Sequence, residues 1–178
     1  MKEITLQPEQ IIVPGEYNYG KKSILQIYFR IFDMEHGKDL PPSIVIWKDN
    51  INSSYLNDAF SRGQGQEEFY QKLIESKAEY LLLDGNHKSI AATLCHSPIH
   101  SLELEKSSDI AKVIKMVENG ELFNFPHDET TLVELANGFI YNIFSTGRTI
   151  MTVKERVDLL ASNGHLPQYM KERYLKGK

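Results

Sequence analysis

The sequence predicts an α/β chain followed by a helical C-terminal part, and three observations carry that prediction. Short apolar runs that read as buried strands, Ser43-Ile44-Val45-Ile46-Trp47 and Tyr80-Leu81-Leu82-Leu83, alternate with stretches of helical periodicity through residue 106. From Ser107 onward the apolar residues recur at helical spacing alone. The 178 residues are 41% hydrophobic and 25% charged, the balance of a globular chain with enough apolar material for a core. Residues 1–106 are therefore expected to form an α/β domain. Residues 107–178 are expected to form a helical extension, packed on that domain or standing as a small subdomain, with no flexible linker between them.

The elements follow in order. Gln10-Ile11-Ile12-Val13 reads as the first strand, stopped by Pro14-Gly15. Ile24, Leu25, Ile27, Tyr28, Ile31 and Phe32 lie on one helix face, which ends before Gly37 and Pro41-Pro42. The strand at 43–47 comes next. Residues 49–66 are rich in Asn, Ser and Gly and read as a long surface connection, with room for a short helix at Tyr55–Phe60. Phe69, Leu73 and Ile74 mark another helix face before the strand at 80–83. Ile90, Ala91, Leu94 and Cys95 form the apolar side of the helix after it, broken at Pro98. Leu102 and Leu104, alternating with Glu103 and Glu105, predict a half-exposed edge strand. Ile110, Val113, Ile114 and Val117 predict a helix capped by a serine at 107–108. Leu132, Leu135, Ala136, Phe139, Ile140 and Ile143 predict the next. Thr152-Val153-Lys154-Glu155 has capping-box spacing and opens a third, ended by Asn163-Gly164, with a fourth at Leu166–Leu175.

Composition excludes several functions. The formal net charge of −4 gives no global basic field for nucleic acid. No apolar run approaches the roughly 18 residues of a membrane helix, and the opening residues lack the apolar stretch of a signal peptide, so the expected compartment is the cytoplasm. The single cysteine, Cys95, rules out an internal disulfide and a cysteine-rich zinc cluster.

The sharpest local feature is the passage Leu82-Leu83-Asp84-Gly85-Asn86-His87-Lys88-Ser89-Ile90-Ala91-Ala92. A strand that ends in Asp-Gly and turns straight into a helix aims unpaired backbone N–H groups and the positive end of the helix dipole at one spot. Gly85 permits a tight turn, His87 can donate hydrogen bonds and Lys88 brings a positive charge. Such a set suits a phosphate group.

The strand, the Asp-Gly-X-His-(Arg/Lys) turn and the small-residue helix resemble the signature of the ParB/sulfiredoxin superfamily. The upstream order, an Ile-Val-Pro strand end, an amphipathic helix and then Leu40-Pro41-Pro42-Ser43-Ile44-Val45-Ile46, supports the resemblance over roughly residues 8–106. It implies a compact domain with a small mixed sheet that binds a nucleotide (ATP, ADP or CTP), with Gly85, Asn86, His87 and Lys88 on the phosphates. Sulfiredoxins place a catalytic cysteine directly after the glycine. Here that residue is Asn86, and sulfiredoxin activity is not expected. The motif wording is nearest to that of free serine kinases and ParB-like nuclease-type domains. Those kinases are similar in having an acidic residue after the first strand, a place taken here by Glu16. The resemblance thus implies Glu16 as base toward a small hydroxyl-bearing substrate, Asp84 as the residue that orients the nucleophile or helps hold Mg²⁺, and His87 as a third catalytic group.

Other constellations are thinner. Cys95-His96 with His100 is interrupted by Pro98 and predicts no metal site. Tyr17, Tyr19 and Lys21-Lys22 lie in a loop placed to close over a nucleotide. The turn Ser162-Asn163-Gly164 between two helices loosely fits a helix-turn-helix unit, with Gln168, Lys171 and Arg173 as readers. DNA binding gated by nucleotide is therefore the alternative function, and it is not favoured because the basic footprint is small.

Overall fold

The computed structural model describes residues 1–15, 22–52, 54 and 66–177. Glu16, Tyr17, Tyr19, Lys21 and the expected helix at Tyr55–Phe60 lie outside the described residues. The described residues form one mixed sheet of six strands and seven α-helices. The strands are β1 (Lys2–Leu6), β2 (Ile11–Pro14), β3 (Ser43–Trp47), β4 (Tyr80–Asp84), β5 (Ile99–Leu104) and β6 (Ile150–Thr152). The helices are α1 (Lys22–Asp33), α2 (Gln66–Glu75), α3 (Asn86–Leu94), α4 (Ser108–Glu118), α5 (Leu132–Ser145), α6 (Val153–Ser162) and α7 (Gln168–Lys176).

The sheet runs in the order β1-β5-β3-β4-β2-β6. β5 lies parallel to β3 and β2 lies parallel to β4, and the remaining neighbours are antiparallel. Successive side chains of a strand point to opposite faces, so a strand covered on both sides reads as an unbroken apolar run. Ile11, Val13, Val45, Leu82 and Ile99 enter one core, where Phe29 of α1, Leu94 of α3, Val157 of α6 and Met170 of α7 cover them. Ile12, Ile44, Ile46, Leu81, Leu83 and Leu102 enter the other, beneath Leu73 of α2, Val113 of α4 and Ile140 of α5. The chain after residue 107 thus packs on both faces of the sheet, and it also contributes β6.

Three expectations need correction. β5 is not an edge strand. β1 pairs with it along Lys2↔Glu103 to Leu6↔Ile99, and Glu103 is only 5% exposed. Residues 107–178 are not wholly helical, because β6 pairs antiparallel with β2 over Ile12↔Thr152 to Pro14↔Ile150. Ser107 does not cap α4. Its hydroxyl accepts from the Leu132 N–H at 3.2 Å, while the buried Asp109 carboxylate reaches back to the amides of Glu105 and Lys106 at 3.2 and 3.3 Å. Burial pushes the Asp109 carboxyl up, but bonds from Lys112, the Met1 ammonium and the Glu105 amide outweigh it and hold the carboxyl well below the usual range. At Thr152 the expected capping box is present, with Thr152 Oγ1 accepting from Glu155 N at 3.1 Å and Glu155 Oε2 accepting from Thr152 N at 2.7 Å.

Candidate functional site

Parallel strands β2 and β4 end side by side, and antiparallel β3 begins at the same end of the sheet. Three chain segments meet there. β4 finishes on Asp84, and the chain reverses at Gly85, whose φ of 104° lies in the left-handed region that glycine alone adopts without strain. No Cβ would fit there either. It would run into the Ser43 hydroxyl and lie 2.7 Å from Ser43 Cβ. α3 then starts at Asn86, and its first intrahelical bond runs from Ser89 N–H to the Gly85 carbonyl at 2.8 Å. Small residues Ser89, Ala91 and Ala92 let this helix lie close to the sheet and α1, with its face from Lys88 to Leu94 buried.

Asp84, Gly85, Asn86, His87 and Lys88 form this turn and the start of α3, with their side chains in different surroundings. The Lys88 side chain turns inward. It is 6% exposed, and Nζ donates to the carbonyls of Pro41 and Pro42 at 2.6 and 2.9 Å. A Pro-Pro pair offers acceptors without amide donors, which suits it to receive an ammonium. Burial pulls the Lys88 pKa down to about 8, and the nearby Asp84 charge opposes the fall. Burial pushes the Asp84 carboxyl up, opposed first by Lys88, then by the Gly85 amide, His127 and His87. Tyr28 of α1 also feels Asp84, which together with burial raises its hydroxyl pKa. Asn86 Oδ1 is buried and has no hydrogen-bond partner among the described residues. Glu16 falls outside the described residues. The residue before it, Gly15, is held at this same end by a bond from its N–H to the Thr149 carbonyl at 2.6 Å.

Two further groups near the turn come from the segment between α4 and α5, where Gly120 and Pro126 interrupt the helical spacing. Phe123 is 61% exposed, and its ring centre lies 6.0 Å from Lys88 Nζ. His127 faces Asp84 electrostatically, packs its ring 4.8 Å from that of Phe125 and lies 3.4 Å from the Glu129 carboxylate. The alternation Phe123, Phe125, His127 within a polar stretch is the available signal, and it is a weak one.

The remaining candidates are occupied in other ways. Cys95 is buried, its Sγ pointing to the Phe29 carbonyl at 3.7 Å, and burial pushes its thiol up to about 12. His96 Nε2 meets the Tyr174 carbonyl at 2.9 Å, with the two rings stacked 5.5 Å apart. Among the described residues no group of three or more His, Cys, Asp or Glu side chains converges to hold a metal. On α7, Arg173 Nε donates to Asp33 of α1 at 2.9 Å and Gln168 donates to Glu172 at 2.9 Å, so two of the three supposed DNA readers are engaged within the chain. No helix among the described residues is long and apolar enough to cross a membrane. Compared with protein families, curated proteins and solved structures, the chain matches none.

Proposed function

We propose that this chain binds a nucleotide through its phosphates at the Asp84–Lys88 turn and carries out phosphoryl transfer or nucleotide hydrolysis there. The observation that carries the reading is the left-handed Gly85 between β4 and α3. It sets the start of α3 directly after the half-buried Asp84, so that the first-turn amides lie beside a carboxyl that also feels His87. The ParB/sulfiredoxin resemblance of the same residues supports it, as does the strand–turn–helix order found here.

Each group has a job in this reading. The α3 amides and His87 hold phosphate oxygens. Lys88, tied to Pro41 and Pro42, fixes the entry of β3 against the turn and adds positive charge from below. The exposed Phe123 ring offers a face on which a base stacks. Glu16 is the candidate base that takes a proton from an attacking hydroxyl, and Asp84, its carboxyl pushed up by burial, orients that hydroxyl or helps hold Mg²⁺. Mg²⁺ sites beside phosphates commonly use one or two carboxylates. Asp84 and the unpartnered Asn86 Oδ1 fit that demand as hard oxygen donors, and the ion would supply charge neutralisation on the phosphates.

The test is a thermal-shift panel of ATP, ADP, CTP and inorganic phosphate, with and without Mg²⁺. A ligand of the native state raises the melting temperature. His87→Ala should weaken binding, and Asp84→Asn should remove turnover while leaving binding largely intact. Failure of every nucleotide to raise the melting temperature overturns the proposal.

A further inference from the structure

The segment between α4 and α5 joins two helices that cover the same face of the sheet, yet its Phe123 meets Lys88 of α3, which covers the other face. The segment therefore wraps the end of the sheet where β4 finishes. Leu122 and Phe125 anchor it, both buried in the core beneath α4 and α5. A bond from the His127 N–H back to the Phe125 carbonyl at 2.9 Å closes a tight turn, and the His127 ring packs against that of Phe125. The His127 side chain keeps 19% of its surface in solvent.

Two observations give His127 more than a packing role. The first is electrostatic. The charge of His127 acts on Asp84 more strongly than that of His87, although His87 is only three residues from Asp84 in the chain. The second is the carboxylate behind the ring. Nδ1 of His127 lies 3.4 Å from Glu129 Oε2, and α5 leaves room for that carboxylate at Gly138, where a Cβ would come within 2.9 Å of Glu129 Oε1. A glycine inside a helix weakens it relative to alanine, so the residue that would strengthen α5 is the one that would displace Glu129. A carboxylate on one ring nitrogen sets the tautomer and leaves the other nitrogen to act elsewhere.

A phosphate site works through donors and positive charge aimed at the phosphate oxygens. Lys88 does not supply them by contact, since its Nζ is taken up by the carbonyls of Pro41 and Pro42. We propose that His127, oriented by Glu129, donates a hydrogen bond from Nε2 to a phosphate oxygen of the ligand at the Asp84–Lys88 turn. His127 is then a ligand-contacting residue and Glu129 a positioning residue. The inference rests on the phosphate reading of the turn and adds to it a group from outside the motif.

The probe is inorganic pyrophosphate, titrated into the full chain while NMR follows the backbone amides and the ring nitrogens of labelled histidine. The Nε2 signal of His127 should move together with the amides of Gly85–His87. His127→Phe keeps a ring against Phe125 but removes the donor, and should weaken binding roughly 10- to 150-fold, the worth of a hydrogen bond to a charged group. His127→Gln restores a donor and should recover part of that loss. Glu129→Gln and Gly138→Ala should each weaken binding less, and both should shift the Nδ1 signal of His127, which a glutamate with a merely structural role would leave in place. Movement of the Gly85–His87 amides with the His127 ring signals unmoved overturns this proposal and leaves the nucleotide reading standing. So does His127→Phe binding as tightly as the parent. Movement of both sets by pyrophosphate, while no nucleotide raises the melting temperature, keeps His127 and Glu129 in a phosphate site and overturns the nucleotide reading instead. Pyrophosphate that moves neither set overturns the proposal.

Discussion

Replacing Gly85 by alanine separates two costs that the turn combines. The first is conformational. A left-handed alanine costs roughly 1–2 kcal/mol wherever it occurs. The second is steric, because the new methyl would sit 2.7 Å from Ser43 Cβ and 3.1 Å from Ser43 Cα, in a part of β3 that is 2% exposed and has no room to move. Overpacking of this kind costs roughly 1–3 kcal/mol. Gly164 provides the reference, since its φ is 68° and a methyl there meets nothing within 4 Å. Gly164→Ala should therefore show the conformational cost alone, and Gly85→Ala should exceed it by about 1–3 kcal/mol. Urea unfolding with unchanged slopes measures the difference, and in a chain of this size each kcal/mol lowers the melting temperature by roughly 2–4 °C. The double variant Gly85→Ala/Ser43→Gly should recover much of the excess, because the clashing atoms belong to the Ser43 side chain. Equal destabilisation by Gly85→Ala and Gly164→Ala would refute the packing argument, and with it the claim that β3 and the turn are fitted to one another.

Three further outcomes follow from the packing and charge of the chain. Lys88 loses its proton near pH 8 when folded and near 10.5 when unfolded, so between those values the unfolded chain holds more protons and stability must rise with pH. Relative to Lys88→Met, the parent should gain up to about 3 kcal/mol across that window, measured by urea unfolding at stepped pH, and a flat difference would contradict the buried ammonium. Cys95, with its thiol pushed up to about 12, should resist alkylation at pH 8 in the native chain and react at once in denaturant, as mass spectrometry would report. Thr152→Ala removes the hydroxyl half of the α6 capping box and should cost about 1 kcal/mol in thermal unfolding, whereas an unchanged midpoint would mean that β6 alone sets the start of the helix.

What the sequence reveals and what it hides have the same physical origin. The strands covered on both faces are continuous apolar runs, so Ile44–Ile46 and Leu81–Leu83 are legible at once. β1 carries Lys2 and Glu3 on exposed positions of an outer strand and offers no such run. Overlooking it makes β5 look like an edge, because the alternation of Leu with Glu normally marks a solvent face. The burial of Glu103 depends on a partner strand about a hundred residues earlier in the chain, which local periodicity does not reveal. β6 is three residues long and runs directly into a capping box, so the helix signal conceals it. The site divides the same way. The Asp84–Lys88 turn is local and legible. The inward path of Lys88 depends on carbonyls more than forty residues away, and the approach of Phe123 and His127 depends on how α4 and α5 are joined.

The position of β6 also bears on how the chain is made. β2 lies at Ile11–Pro14, yet one of its two flanking partners, β6, is not synthesised until Ile150–Thr152. Until then one side of β2 is an open row of backbone donors and acceptors, the kind of edge that pairs with other chains. Arg156, which donates to the Pro14 carbonyl from the buried side of α6, arrives later still. Between the completion of β5 at Leu104 and the arrival of β6 at Ile150, the growing chain therefore carries a five-stranded sheet whose β2 margin is still uncovered. Release from the ribosome between residues 104 and 150 should yield a product that self-associates, whereas β6 covers the β2 margin once it has been made.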